Sequence, residues 1–363
     1  MKPRVAFIYL SFHCEPYMDD VVSSMEKLTY PKDSVELVVV DNPHPEYGSS
    51  VRYLEGRVMP LSEKTMPKVT VMANSENLGF SGGNNVGIRY ALEQGFDYIY
   101  LLNNDAFGAA NFLEPLVDAM ESDAKIGAAQ SLILLHPETS LINSAGNRMH
   151  YLGFGFCDGY RARAATYDMP AVKEVNYASG AGVMMRASLL RGHGLWDEDF
   201  FLYHEDLEYS YRLKSRGYKM VVVKGSILYH KYQFGRSIAK FFWMERNRYG
   251  VLLMFYKWPT LILILPMMLV MELGLLFFAL KSHSIDVRVK VYRYWLQAKN
   301  WSLWLEKRRR IQEKRTISDR VLTRDMATKI LFQEEEMRNP LLLYVGNPIM
   351  TLYWKLIRLI LWW

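Results

Sequence analysis

Cysteine is scarce: the 363 residues contain two, Cys14 and Cys157, too few and too isolated for a disulfide framework or a C-x-x-C zinc or redox site. A reducing compartment is therefore expected. A charged leader followed by an apolar run is missing as well. Met1 to Leu10 already reads as a first strand, so the amino-terminal domain is expected to stay cytosolic. Repeats and low-complexity tracts are absent, and a composition 50% hydrophobic and 23% charged excludes wholesale disorder. That length is enough for one large domain with an appendage.

Charge is present but uneven. The net charge is +6, yet residues 281–330 carry 14 Lys or Arg against 5 Asp or Glu, which leaves the remainder slightly acidic. A basic segment reads either nucleic acid or an anionic membrane face. Trp295, Trp301 and Trp304 interleave with these cations as a nucleic-acid platform requires, but apolar anchors surround them, so lipid is favoured and no nucleic-acid partner is expected.

Up to about residue 235, short β-branched runs alternate with amphipathic stretches and polar turns, the pattern of an α/β fold with a mostly parallel sheet. Val5–Leu10, Leu37–Val40, Val69–Met72 and Tyr98–Leu102 are the clearest strands. Open α/β sheets bind ligands beyond the carboxyl ends of their strands. Asp41-Asn42, Asn74 to Asn77 and Asn103-Asn104-Asp105 follow three of these runs. Further on, a helix over Glu205–Arg216 stopped by Gly217 and two strands, Met220–Val223 and Ile227–His230, are expected.

A catalytic domain over residues 1–257 and a helical, membrane-associating region over 258–363 follow from the composition. Leu261–Leu280 is apolar except for Glu272, long enough to cross a bilayer, with Pro266 expected to kink it. Glu272 at the hydrocarbon midplane would cost a few kcal/mol, on the order of 3. A crossing would also carry the basic segment to the far side, against the cytoplasmic bias of Lys and Arg. Peripheral or monotopic attachment at the cytoplasmic face is therefore expected, with Trp354, Trp362 and Trp363 among leucines and cations as a second anchor.

Four constellations carry chemistry. Asp105, after a central strand, is placed to hold a divalent cation against a diphosphate, the alternative being an Asx turn. Asn77 to Gly87 reads as a glycine-rich loop opening a helix, where backbone N–H groups can approach phosphate; it matches neither G-x-G-x-x-G nor the P-loop. Six carboxylates between Asp197 and Glu208 exceed what a helix N-terminus needs, and their repulsion suits a general base. Glu208 has the simpler option of pairing with Arg212. His230 precedes Lys231 and Arg236, cations suited to a diphosphate leaving group.

In order and spacing these motifs resemble the inverting family 2 glycosyltransferases of GT-A fold, especially the branch with bacterial rhamnosyltransferases of surface polysaccharide assembly. The resemblance covers about residues 4–257 and rests on Val38 to Asn42, Asn77 to Asn85, Leu101 to Asp105, Ser179-Gly180-Ala181, Glu205-Asp206 and Arg246-Asn247. It implies that Asp206, with Glu205 beside it, is the catalytic base. It further implies that Asp41 contacts the nucleotide base, that Asn77, Gly79, Gly82, Gly83 and Asn85 border the nucleotide, and that Asn104, Asp105 and Arg236 meet the diphosphate. Asp105 and His230 would hold Mg2+ or Mn2+. The family's D-x-D motif reads here with Asn103 in the first position, which leaves Asp105 as its single charge.

The expected reaction moves a sugar, rhamnose as lead, from a dTDP- or UDP-linked donor to a hydroxyl of a glycan or polyprenyl-diphosphate-linked acceptor. Two rivals stand beside it. A sugar-1-phosphate nucleotidyltransferase would need glycines after the first strand, where Ser11 to Pro16 has none. A silent, membrane-associated nucleotide-sugar scaffold would not need both Asp105 and Asp206. The residues do not indicate oligomeric state.

Overall fold

Valine, leucine, isoleucine and tyrosine fill runs of five to seven residues that lie buried on both faces, and such runs form the interior strands of a covered sheet. The structure is a computed structural model that describes residues 2–232, 241–282, 284–331 and 339–363. It separates into two compact units. The first contains Met1–Asn147, Cys157–Ser210 and Tyr218–Tyr232; the second contains Arg148–Phe156, Tyr211–Gly217 and Gln233–Trp363.

The strands of the first unit are β1 (Val5–Ser11), β2 (Val35–Asp41), β3 (Lys68–Ala73), β4 (Tyr98–Leu102), β5 (Ala106–Gly108), β6 (Ile126–Leu135) and β7 (Ile142–Ser144). After a small ribbon of β8 (Asn147–Met149) and β9 (Gly155–Cys157) come β10 (Val172–Val175), β11 (Gly182–Arg186) and β12 (Lys219–His230). The sheet order is β10-β12-β6-β11-β4-β1-β2-β3, with β5 on β12 and β7 on β6. The pairs β4–β1, β1–β2, β2–β3 and β6–β12 are parallel, while β11 runs antiparallel between β4 and β6. The fold is thus α/β with a mostly parallel central sheet. The carboxyl ends of β1, β2, β3, β4, β6 and β12 all reach one edge.

Helices cover both faces: α1 (Met18–Glu26), α2 (Val51–Arg57), α3 (Gly79–Glu93), α4 (Leu113–Ser122), α5 (Ala187–His193) and α6 (Glu205–Lys214). On one side Val21 and Met25 of α1 and Leu113, Leu116 and Met120 of α4 join Phe7, Tyr9 and Tyr100 in one core. On the other, α3 lies so close to the sheet that a Cβ at Gly87 would stand 2.7 Å from Ile8 Cγ2, and one at Gly83 2.4 Å from Leu10 Cδ1.

Three expectations change. The Asn77–Gly87 run is not a loop, because α3 begins at Gly79; Gly82 and Gly83 are helical, with amides in the helix ladder and no exposed cradle. Gly83 and Gly87 serve close helix–sheet approach. The two strands expected after Gly217 are one, β12, with a register shift between Val223 and Ile227. The helix before Gly217 ends at Lys214.

In the second unit, Phe241–Phe255, Trp258–Lys281, Ile285–Trp295, Ala298–Glu313 and Asn347–Ile360 are helices. Trp304 is buried against Gly250, where a Cβ would lie 2.2 Å from its ring. Arg246 stands over Trp243 at 4.5 Å and Tyr294 at 5.2 Å, held by rings. Trp258–Lys281 runs as one helix through Pro266. Glu272 is turned to protein: Arg288, Tyr249 and Tyr292 contact it, and Arg248 stands 3.8 Å away. Its charge is met by protein groups.

Gly87→Ala is expected to destabilise the chain by about 1–3 kcal/mol, because Ile8 and Val40 have no room to yield. Gly56→Ala, in α2 with open space around it, is expected to stabilise by about 0.5–1 kcal/mol. Thermal unfolding of the two variants checks both signs.

Candidate functional site

The carboxyl ends of β2 and β3 carry a web of amides. Asn42 Nδ2 donates to Asn77 Oδ1 at 3.2 Å and to the Gly79 carbonyl at 3.0 Å, and Asn74 Nδ2 donates to Asn42 Oδ1 at 2.8 Å. Asp41, at the last residue of β2, is fully buried; it accepts from Ser11 Oγ at 2.7 Å, Ser49 Oγ at 2.6 Å and Ser50 N at 3.2 Å. Its carboxylate organises the two loops beyond β1 and β2. Asn85 faces elsewhere: its amide donates to the Trp196 carbonyl and Glu198 Oε1 and accepts from Trp196 N, which pins that segment to α3.

Asp105 and His230 meet because β5 pairs antiparallel with the end of β12, setting Ala106 opposite His230. Asp105 Oδ1 and His230 Nε2 are 3.0 Å apart, both side chains largely buried. Asn103 Nδ2 donates to Asp105 Oδ1 at 2.7 Å, and Lys231 N donates to the Asp105 carbonyl at 2.9 Å. Asn104 turns back, its Nδ2 donating to the Phe12 carbonyl while its own carbonyl accepts from Tyr9 Oη at 2.7 Å. Arg236 lies outside the described residues.

Asn143, on β7, joins the site without belonging to any of the sequence motifs. Its Oδ1 is 3.0 Å from His230 Nδ1. An amide oxygen there requires the proton on Nδ1, which turns the Nε2 lone pair toward Asp105. That lone pair also faces Asn103 Nδ2 at 3.3 Å, so amide, imidazole and carboxylate form one polar cluster. Carboxylate plus imidazole suits Mn2+ or Mg2+ as a partial shell. No cluster of three or more His, Cys, Asp or Glu that could hold a metal occurs among the described residues. A polar Asn inside the buried run Ile142–Ser144 was the signal that could have found this residue.

Glu205 and Asp206 open α6. Phe201, Tyr203 and His204 just before them all have positive φ, 60°, 65° and 67°, an arrangement costing about 1–3 kcal/mol per residue. The Phe201 carbonyl accepts from Phe80 N at 2.6 Å, and thereby from the first turn of α3. Asp206 accepts from Gly180 N at 3.2 Å and Leu207 N at 2.7 Å. Burial nevertheless pushes its carboxyl up to about 6. Burial and the neighbouring Asp206 hold Glu205 well above the usual range, and its Oε2 has no hydrogen-bond partner among the described residues.

A short path joins the two acidic centres. Gly180 N donates to Asp206, the Ala181 carbonyl accepts from Asn103 N at 3.1 Å, and Asn103 bonds Asp105. One edge of the sheet therefore holds a carboxylate able to take a proton near neutral pH and a carboxylate–imidazole pair suited to a cation.

A family model described as glycosyltransferase like family 2 matches residues 3–249. A low-salt glycan biosynthesis hexosyltransferase of Haloferax volcanii is 27% identical over 149 residues, covering 38% of this chain and 44% of that protein. Among solved structures, GalNAc-T7 with UDP, GalNAc and Mn2+ has a TM-score of 0.50 at 14% identity, covering 64% of this chain and 43% of that one. S. aureus TarS 1–349 with UDP-GlcNAc has a TM-score of 0.49 at 13% identity, covering 96% and 88%. The chain spans less than half the length of the hexosyltransferase and of GalNAc-T7. The likeness to GalNAc-T7 is one of fold.

Folding raises both carboxyls above their unfolded values, so the folded state binds protons more tightly. That contribution to stability is complete below about pH 4 and is lost as pH rises through about 6 for Asp206 and higher for Glu205. Asp206→Asn is therefore expected to raise Tm at pH 8 by about 3 °C or more and to leave it unchanged at pH 4, as calorimetry at the two pH values would show.

Proposed function

The chain belongs to glycosyltransferase-like family 2, and from that membership we propose that it transfers a sugar from a nucleotide-diphosphate donor to an acceptor hydroxyl, with inversion at the anomeric carbon. The observation that carries the reading is the path from Asp206 through Gly180, Ala181 and Asn103 to Asp105 and His230.

Asp206 is the general base. With its carboxyl raised to about 6 it is ionised at neutral pH yet basic enough to accept the hydroxyl proton. The acceptor oxygen then bonds the anomeric carbon from the face opposite the donor diphosphate. The bond to the diphosphate oxygen breaks with its electron pair, and the proton stays on Asp206. Burial and the charge on Asp206 raise the Glu205 carboxyl, so the two acids titrate as a pair.

Asp105 and His230, oriented by Asn143, would hold Mg2+ or Mn2+, which supplies positive charge for the departing diphosphate. Asp41 acts through Ser11 and Ser49, shaping the loops against which the nucleotide would lie, rather than by touching the base. Asn42, Asn74 and Asn77 extend that wall to Gly79. A dTDP- or UDP-linked donor, with rhamnose as the lead sugar, follows from the motif resemblance. A polyprenyl-diphosphate-linked glycan acceptor would set the enzyme at the cytoplasmic face of a membrane, with residues 258–363 on its surface.

Asp206→Asn is expected to lower kcat by about 100- to 10,000-fold while donor affinity is retained. Wild-type kcat should rise with pH through about 6 as the base ionises. A turnover assay over nucleotide sugars, paired with donor titration calorimetry, tests both; unchanged kcat in the variant removes Asp206 from the chemistry, and no turnover of any donor by the wild type returns the scaffold reading. Asn143→Ala is expected to weaken Mn2+ binding by about 10- to 100-fold, read by electron paramagnetic resonance of free Mn2+.

A further inference from the structure

Trp258–Lys281 is long and apolar enough to cross a membrane, by length and composition. Its two sides differ. Thr260, Ile264, Met267 and Ala279 are packed on protein. Ile262, Leu265, Leu269, Leu273, Phe277 and Leu280 recur every three or four residues on the other side, with Leu273 69% and Phe277 71% exposed and no charge among them. Asn347–Ile360 repeats the arrangement: Met350, Trp354 and Ile357 are packed, while Ile349, Leu352, Leu356 and Leu359 are exposed. The helices are tied together. Tyr353 Oη donates to the Leu263 carbonyl at 2.6 Å, and Trp363 Nε1 donates to Thr260 Oγ1 at 2.9 Å.

At the amino-terminal end of the longer helix lies an open pocket of about 500 Å³, lined by Lys257, Trp258, Leu305, Arg308, Arg309 and Gln312 with Pro259. Lys257 and Arg309 line it together with Arg308, whose guanidinium is bound to the Leu253 and Tyr256 carbonyls, and no carboxylate lines it. The Arg308 guanidinium stacks over Trp258 at 4.2 Å. An exposed apolar stripe that ends in a cationic pocket with an indole at its mouth has the polarity profile of a leaflet, hydrocarbon beside phosphate.

We propose that the exposed faces of Trp258–Lys281 and Asn347–Ile360 seat in one leaflet of a phospholipid bilayer, with the helices in its plane and the pocket taking the phosphate of an anionic headgroup. The inference rests on the membrane placement proposed above and names its contact surface, orientation and lipid class. In-plane seating follows from the packed side. Glu272 is bound to Arg288 of the next helix, and Arg288 also pairs with Glu245, so the longer helix carries ionised protein along one flank. Such a helix meets hydrocarbon on one face and cannot be surrounded by it.

Flotation of the full chain with vesicles tests this. Binding to phosphatidylcholine vesicles is expected, strengthened when about 30% phosphatidylglycerol is included. Lys257→Gln with Arg309→Gln should weaken binding to the anionic vesicles roughly 25-fold, about fivefold per cation, and leave neutral vesicles unaffected. Leu273→Ser with Phe277→Ser should abolish binding to both without changing the melt, since both side chains are exposed. The proposal is overturned by wild-type chain that binds neither vesicle, by anionic binding indifferent to the two cations, or by light scattering that shows the apolar faces closed in a dimer. Protection of Lys299→Cys from an impermeant maleimide, with Glu55→Cys labelled from the same side, would reveal a crossing helix and overturn it too. Sugar transfer to a detergent-solubilised acceptor on the same preparations distinguishes failure of lipid contact from failure of the transferase reading.

Discussion

Asp105 and His230 are 125 residues apart in the chain, and they are joined by one short antiparallel pairing, β5 on the end of β12. Three residues of β5 follow the turn after β4 and lie across the last residues of β12, so the terminus of a central strand faces the terminus of a distant one. Asn143 on β7 completes the arrangement by fixing the imidazole. The carboxylate–imidazole face of the site therefore depends on backbone pairing, in which a one-residue slip would turn His230 away from Asp105.

The other half of the site is held against its own cost. Three left-handed residues in four positions and two buried acids side by side are each unfavourable, and all lie within Phe201–Asp206. What opposes them is local: the Phe201 carbonyl is bound by the first turn of α3, Gly180 and Leu207 amides meet Asp206, and α3 itself sits on β1 and β2 at glycine distance. Glycine at positions 83 and 87 is thus a condition of the site, Gly83 against Leu10 and Asn42 and Gly87 against Ile8 and Val40. Strain of this kind persists where the surroundings over-determine the backbone, and an acid poised near neutral pH is its chemical return.

The second unit encloses a charged network beside its apolar core. Its ionised groups Glu245, Arg248, Glu272 and Arg288 are gathered inward, paired with one another and with tyrosine hydroxyls. Leu252, Leu253 and Phe255 are buried, while Leu265, Leu269, Leu273 and Phe277 stand outside. The pull of Arg248 and Arg288 on Glu245 outweighs burial and holds its carboxyl below the usual range, so the network stays charged. The exposed stripe of Trp258–Lys281, with Glu272 turned to Arg288, is the feature on which the proposed lipid contact rests.

By itself the sequence determined the α/β class, four strands to within two residues of their ends, and the polar clusters at three strand ends, because hydrophobic period and short-range turn chemistry are local properties. It also marked Asp105, His230, Glu205 and Asp206 as chemically unusual. Whether Asn77–Gly87 was loop or helix was not legible, since glycine weakens every local preference and only the approach to Ile8 and Leu10 makes it a helix. The buried state of Asp41, the inward turn of Glu272, the role of Asn143 and the path between the two acidic centres were decided by tertiary structure alone. Each depends on which distant strand or helix lies opposite, and that information resides in pairing and packing rather than in any window of residues.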